Sequence, residues 1–224
     1  RYLQIFKGDE IEFPEDGYQG EDIKDLAKEY ADLNGDSLVN VSAEERKKAL
    51  VDYALPKNIK KMQADMEKYK IFYDKWFFES ELHKSGAVKA VVDLLTEKGL
   101  TYEKDGAVWY KNKEVLTQKL LKEGKSQKYI DNLELKDDVL IRQNGNPTYF
   151  TADIAYHKNK FDRGFTTLID VWGADHHGHV MRMKGAMDAI GYDGDKLNVV
   201  LMQLVKLVKD GELVKMSKRT GKAI

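Results

Sequence analysis

The chain has 224 residues, 42% of them apolar and 33% charged, which is enough to bury a core beneath a soluble surface and gives no sign of disorder. Lysine plus arginine (37) nearly balances aspartate plus glutamate (38), so net charge announces no nucleic-acid partner, and any such partner must meet a local patch. No cysteine is present, which excludes disulfides, thiolate nucleophiles and thiolate zinc sites and fits a reducing cytoplasm; no apolar run approaches the roughly 20 residues of a membrane span, and no secretory signal opens the chain.

In chain order, Arg1 to Asn34 reads as a short helix, a turn at Phe13-Pro14-Glu15-Asp16-Gly17, and a second helix. Ser42-Ala43-Glu44-Glu45 is a capping box, which starts a helix expected to stop before Pro56. Proline suits a helix's first turn, and Ile59, Met62, Met66 and Tyr69 then repeat at helical spacing. The aromatic-rich run Ile71 to Phe78 fits either a strand or a buried helix. Val88, Val91, Val92 and Leu95 make an apolar helical stripe that Gly99 closes.

Asp105-Gly106 lies between Tyr102–Lys104 and Ala107–Tyr110, and Asn144-Gly145 follows Val139–Gln143. Both pairs are two-residue hairpin signals, because a type I′ turn needs positive φ at both central positions. Thr166 to Trp172 reads as a buried strand leading through Gly173 into a helix with Met183, Ala186, Met187 and Ile190, closed by Gly191. The apolar run Val199 to Val208 and a third turn at Asp210-Gly211 follow. Strand, helix and strand at this spacing predict a parallel α/β unit. A helical, charge-rich first part and an α/β last part place a boundary near Asn146-Pro147.

Near the C-terminus stands Lys215-Met216-Ser217-Lys218-Arg219, followed by Thr220-Gly221-Lys222. On the residues alone two readings are open. One is a solvated basic segment. The other is a loop that sets two ammonium groups and a hydroxyl around a triphosphate, where fixed cations stabilise charge building on a departing pyrophosphate. The string resembles the KMSKS loop of class I aminoacyl-tRNA synthetases, with arginine in the last position as arginyl enzymes of bacterial type often show. Residues 147–156 (PTYFTADIAY) and 171–178 (VWGADHHG) resemble segments of the same arginyl-tRNA synthetase family, as do Arg1-Tyr2-Leu3-Gln4 and Gly17-Tyr18-Gln19-Gly20.

The resemblance covers essentially the whole chain. It implies an α/β fold: the second half of a class I synthetase Rossmann-type parallel sheet, plus a mostly helical inserted region with hairpins. The implied segments are 1–42 (end of the first catalytic half), 43–146 (inserted connective region) and 147–224 (second half, ending in the KMSKR loop). The implied activity couples ATP, accompanied by Mg2+, to arginine, and passes arginine from its adenylate to tRNA-Arg in the cytoplasm. Lys215, Ser217 and Lys218 fall on catalytic positions. ATP binding falls on Lys215, Met216 and Lys218, with Gly173, Asp175 and His179 at the strand end where α/β folds hold ligands.

By the same resemblance, Tyr149 and Asp153 fall on the family's arginine-recognising positions and His176 falls near another. The chemistry agrees, since a carboxylate on a rigid element beside aromatic surface suits a planar, permanently charged fork. Read without the resemblance, Asp153 is a residue at a helix N-terminus and Tyr149 a residue of a strand core. Two other readings remain: another class I synthetase, and a catalytically silent module that binds nucleotide or tRNA.

The family's first signature, H-x-G-H, is matched literally by His176-His177-Gly178-His179. We reject that match, because His179 lies only 36 positions before Lys215, whereas the family's motif lies far upstream in the opposite half of the sheet. The expectation is a chain cut from a longer protein after that motif and before the anticodon-binding domain, and inactive by itself. A zinc site at these histidines with Asp175 is not expected, and no other metal site is. His83 and His157 read as surface or capping residues, and Met181, Met183 and Met187 as core.

Overall fold

A computed structural model describes residues 1–14, 17–18, 20–203 and 205–214. The polypeptide divides into two compact units, one made of residues 1–75 with the segment that begins at Lys206, the other of residues 76–205. The chain passes through Asn146-Pro147 inside the second unit.

In the first unit, helices α1 (Tyr2–Lys7), α2 (Glu21–Asn34) and α3 (Ala43–Lys68) gather around a small core of Leu3, Leu38 and Val39. Arg46 ties the loop before α3 to the helix by donating to the carbonyls of Leu38, Val39 and Val41 at 2.7, 2.7 and 2.8 Å. The Ser42 hydroxyl caps α3 by accepting from the Glu45 N–H. Contrary to the sequence expectation, α3 runs straight through Pro56. A proline forfeits a backbone bond and costs about 3 kcal/mol in a helix interior. Here the turns on either side of it are anchored to α2: the Tyr53 ring packs edge-on against Tyr30 at 5.0 Å, and Lys57 pairs with Glu29. Residues 71–78 are neither strand nor helix but irregular.

The second unit begins with α4 (Glu79–Lys84) and α5 (Ala87–Glu97). Val88, Val91 and Leu95 form the buried stripe of α5. Strands β1 (Thr101–Lys104) and β2 (Ala107–Tyr110) pair antiparallel with Lys104 opposite Ala107, and Asp105 and Gly106 both have positive φ (53° and 72°), as a type I′ turn requires. Helices α6 (Asn112–Lys122) and α7 (Gln127–Asp131) lead to β3 (Asp138–Ile141), which adds antiparallel to β2. The Asn144-Gly145 turn differs from expectation. Only Gly145 has positive φ, and its N–H bonds the Arg142 carbonyl, so the loop closes one residue earlier than a two-residue hairpin. It returns to the sheet through a single bridge between Ile141 and Pro147.

Helix α8 (Tyr149–Asp162), β4 (Leu168–Gly173), α9 (His177–Ile190) and β5 (Leu197–Met202) complete the unit. β4 and β5 pair in parallel, with Leu168 opposite Leu197 and Gly173 opposite Met202. One face of this pair packs on α8 and α9 through a core that includes Leu95, Tyr110, Phe150, Ile154, Leu168, Met183, Met187 and Leu197. Burial of each such large side chain stabilises the fold by roughly 1.5–3 kcal/mol. β4 is not buried on both sides as its apolar sequence suggested: Ile169 and Val171 are exposed, as are Val200 and Met202 of β5. Beyond the second unit, β6 (Leu207–Lys209) and β7 (Glu212–Val214) pair antiparallel across a second turn with two positive φ angles, at Asp210 and Gly211. Among the described residues no helix is long and apolar enough to cross a membrane.

Candidate functional site

Two threonines fix where α8 begins. Thr148 caps the helix by accepting from the Thr151 N–H, while its own hydroxyl donates to the Val139 carbonyl at 2.8 Å. The Thr151 hydroxyl donates to the Leu140 carbonyl at the same distance. The start of α8 is therefore bolted to β3, and the side chains of its first turns are fixed in direction. Tyr149 stands at the first helical position and is 79% exposed, so it belongs to neither a strand nor the core. Asp153 follows one turn on, its side chain 44% exposed.

α8 packs against α9, and β4 ends beside both in a 3-10 turn at Ala174–His176. Where β4 ends, a cleft of about 330 Å³ opens, lined by Asp153, His157, Asp170, Trp172, His176 and His179 among others. Of the residues singled out from sequence, Asp153, Gly173, His176 and His179 line it together. Tyr149 and Asp175 do not, and Lys215, Met216, Ser217 and Lys218 lie outside the described residues. His176 is largely exposed and stands 3.8 Å from its neighbour Asp175.

The Asp153 carboxylate is held from one side. Its Oδ2 accepts from His179 Nε2 at 3.1 Å, and among the described residues nothing bonds Oδ1. His179 is nearly buried, with its ring 5.6 Å from Phe150 and 5.2 Å from Trp172. A half-exposed carboxylate with one oxygen anchored and one open suits a cationic hydrogen-bond donor. No three His, Asp or Glu side chains gather as a metal site among the described residues.

Beneath the cleft lies a charged cluster that sequence reasoning missed. His157, expected at the surface, is 3% exposed. Its Nε2 faces Asp170 Oδ2 at 2.5 Å and its Nδ1 faces the Asp153 carbonyl at 2.8 Å. Lys160 Nζ donates to the other Asp170 oxygen at 2.7 Å. Burial raises the Asp170 carboxyl, yet the hydrogen bonds from His157 and Lys160 outweigh it and hold the group below the usual carboxylate range. One signal was present in the sequence. Asp170 interrupts an otherwise apolar strand at a core-facing position, and a buried carboxylate demands partners. His83, by contrast, is exposed as expected and pairs with Glu79.

A parallel strand–helix–strand unit with a polar cleft at the carboxyl end of its strand is the architecture of ligand-binding α/β proteins. Comparison with known proteins narrows the class. The chain is 52% identical over its whole length to the arginine–tRNA ligase of Ruminiclostridium cellulolyticum and 55% identical to that of Caldanaerobacter subterraneus subsp. tengcongensis. It also matches 96% of its length to a crystal structure from Campylobacter jejuni described as an arginyl-tRNA synthetase, at 36% identity and a TM-score of 0.74, covering 44% of that chain. The Thermus thermophilus arginyl-tRNA synthetase, 16% identical with a TM-score of 0.56 over 90% of the chain and 38% of its own, shares the fold. No family model matches. The chain is thus similar along its whole length to arginine–tRNA ligases, and it spans about 37% of the length of the curated relatives it matches.

Proposed function

We propose that this chain forms part of the catalytic region of an arginine–tRNA ligase, in which Asp153 receives the guanidinium of arginine at the cleft beside β4. The carrying observation is the Asp153 carboxylate, anchored through Oδ2 by His179 and open at Oδ1. A planar fork with donors only fits such an acceptor, and a neutral isostere would leave the carboxylate unpaired at a cost of several kcal/mol. Tyr149 and His176 are the flanking arginine contacts in this reading.

ATP with Mg2+ would meet Gly173, Asp175 and His179 at the strand end, and Lys215, Met216, Ser217 and Lys218 of the KMSKR string. The intact enzyme would then pass arginine to tRNA-Arg in the cytoplasm. The segmentation into 1–42, 43–146 and 147–224 belongs to the same reading. The 224 residues alone, which contain H-x-G-H only within the α9 region, are expected to show no ATP–pyrophosphate exchange.

The test is Asp153→Asn, which keeps the shape but offers an N–H where the ligand also offers N–H groups. Arginine affinity should fall by roughly 2–4 kcal/mol, while the melting point should move little. Unaltered arginine affinity with a lowered melting point would remove Asp153 from the site.

A further inference from the structure

We propose that Arg182 fixes the tautomer of His179, so that His179 holds one oxygen of Asp153 and leaves the other to the ligand; Arg182 and Asp138 are thereby positioning residues for the binding carboxylate. The observation is a chain of contacts across three elements. Arg182 Nη1 of α9 pairs with Asp138 Oδ1 of β3. Arg182 Nη2 stands 3.1 Å from His179 Nδ1, and His179 Nε2 stands 3.1 Å from Asp153 Oδ2 on α8.

A guanidinium has five N–H groups and no acceptor. His179 Nδ1 therefore accepts, and the ring's proton sits on Nε2, from which it donates to Asp153. The other tautomer would set N–H against N–H at one end and a lone pair against a carboxylate at the other. The ring is also denied rotation, since Phe150 and Trp172 stand against it.

Arg182 itself is held in place. It lies one turn after His179 on the same face of α9, and its guanidinium stands 5.4 Å from the centre of the Phe150 ring. Asp138 is largely buried, and burial pushes its carboxyl above the usual range although Arg182 lies against it. Arg182 is partly exposed, but breaking the pair would leave the buried Asp138 carboxylate without its partner, which is costly and suits the pair to fixing a geometry. One lone pair of Asp153 Oδ2 is thus occupied, and the remaining lone pairs of the carboxylate stay available for a guanidinium fork. The positioning role rests on the reading of Asp153 as the arginine receptor; the tautomer assignment does not.

The experiment is a long-range proton–nitrogen correlation on the full chain labelled with 15N-histidine, paired with arginine titration. The His179 ring should show a protonated Nε2 and a bare Nδ1. Arg182→Met should let the ring average over both tautomers and weaken arginine binding about tenfold, whereas Arg182→Lys, which keeps a donor-only group, should recover most of both. If Arg182→Met does not fold, Asp138→Asn, which loosens the arginine, should shift the ring signals in the same direction.

A proton on Nδ1 in the unaltered chain would overturn the proposal. So would an Arg182→Met variant with unchanged ring signals, or one with unchanged arginine affinity. Should Asp153→Asn leave arginine affinity intact while the His179 signals stay fixed, the arginine reading and the positioning role fall together and the tautomer lock stands.

Discussion

His157 Nε2 and Asp170 Oδ2 meet at 2.5 Å beneath the cleft, with Lys160 on the far oxygen of the same carboxylate. Removing the carboxylate charge takes from both His157 and the Lys160 ammonium the buried acceptor they share. Asp170→Asn should therefore destabilise the chain by about 3 kcal/mol, as expected when one member of a buried ionic network is lost. A urea midpoint unchanged by the substitution would rule the network out as a source of stability.

The same cluster has a pH signature. Because the fold holds the Asp170 carboxyl below its ordinary value, its contribution is complete above the normal carboxylate range and fades as pH falls through the folded value. The unaltered chain should lose stability on acidification more steeply than Asp170→Asn does. Urea midpoints taken from about pH 7 down to about pH 2 would show the difference, and parallel curves would contradict it.

Gly194 makes a tight approach to α9. Its N–H bonds Asp188 Oδ1 at 2.7 Å, and a Cβ there would press into the Lys184 main-chain carbonyl. Backbone cannot swing aside as a side chain can, so Gly194→Ala should cost about 3 kcal/mol. Thermal melting would check it, and a shift of less than a degree would show that the 3-10 turn at Gly194–Lys196 relaxes freely.

Ile169 and Val171 point away from the core on a parallel strand pair, a kind of sheet that ordinarily has both faces covered. In this chain, Val171→Thr should change stability by less than about 0.5 kcal/mol and should lower the fluorescence of a dye that binds apolar surface. A large loss of stability would mean that the face is already packed.

Lys218 lies outside the described residues. If it meets the departing pyrophosphate, Lys218→Ala in the intact enzyme should slow adenylate formation about a hundredfold, or ~3 kcal/mol, with arginine affinity nearly unchanged. A normal single-turnover rate with weakened arginine binding would contradict that role.

What could be read from sequence was local. Ser42 and the turns at Asp105-Gly106 and Asp210-Gly211 behave as their residue types require, because a cap or a type I′ turn is decided within four residues. The β4–α9–β5 unit was legible from periodicity. Pro56 misled because its helix is held by Tyr30 and Glu29, which lie more than 20 positions away. Asp153 was found through its neighbours in sequence, whereas its anchor His179 and the Arg182–Asp138 pair behind it come from two other elements, α9 and β3. No spacing along the chain records that meeting.

None of the 26 described residues of α3 is buried, although at 1.5 Å per residue the helix extends about 39 Å. Its packing is confined to partly buried contacts such as Ala49 and Leu50 on the small core and Tyr53 on Tyr30, so it has little tertiary packing to lose when a turn opens. Its amide protons should therefore exchange with solvent by turn-by-turn fraying, on a clock of their own. Those of α8, where Phe150, Thr151, Ala152, Ile154, Ala155 and His157 are buried, should exchange only when the surrounding core comes apart. Two helices with equally regular backbones would then differ by orders of magnitude in exchange lifetime, and a protease offered the folded chain would find the long helix first.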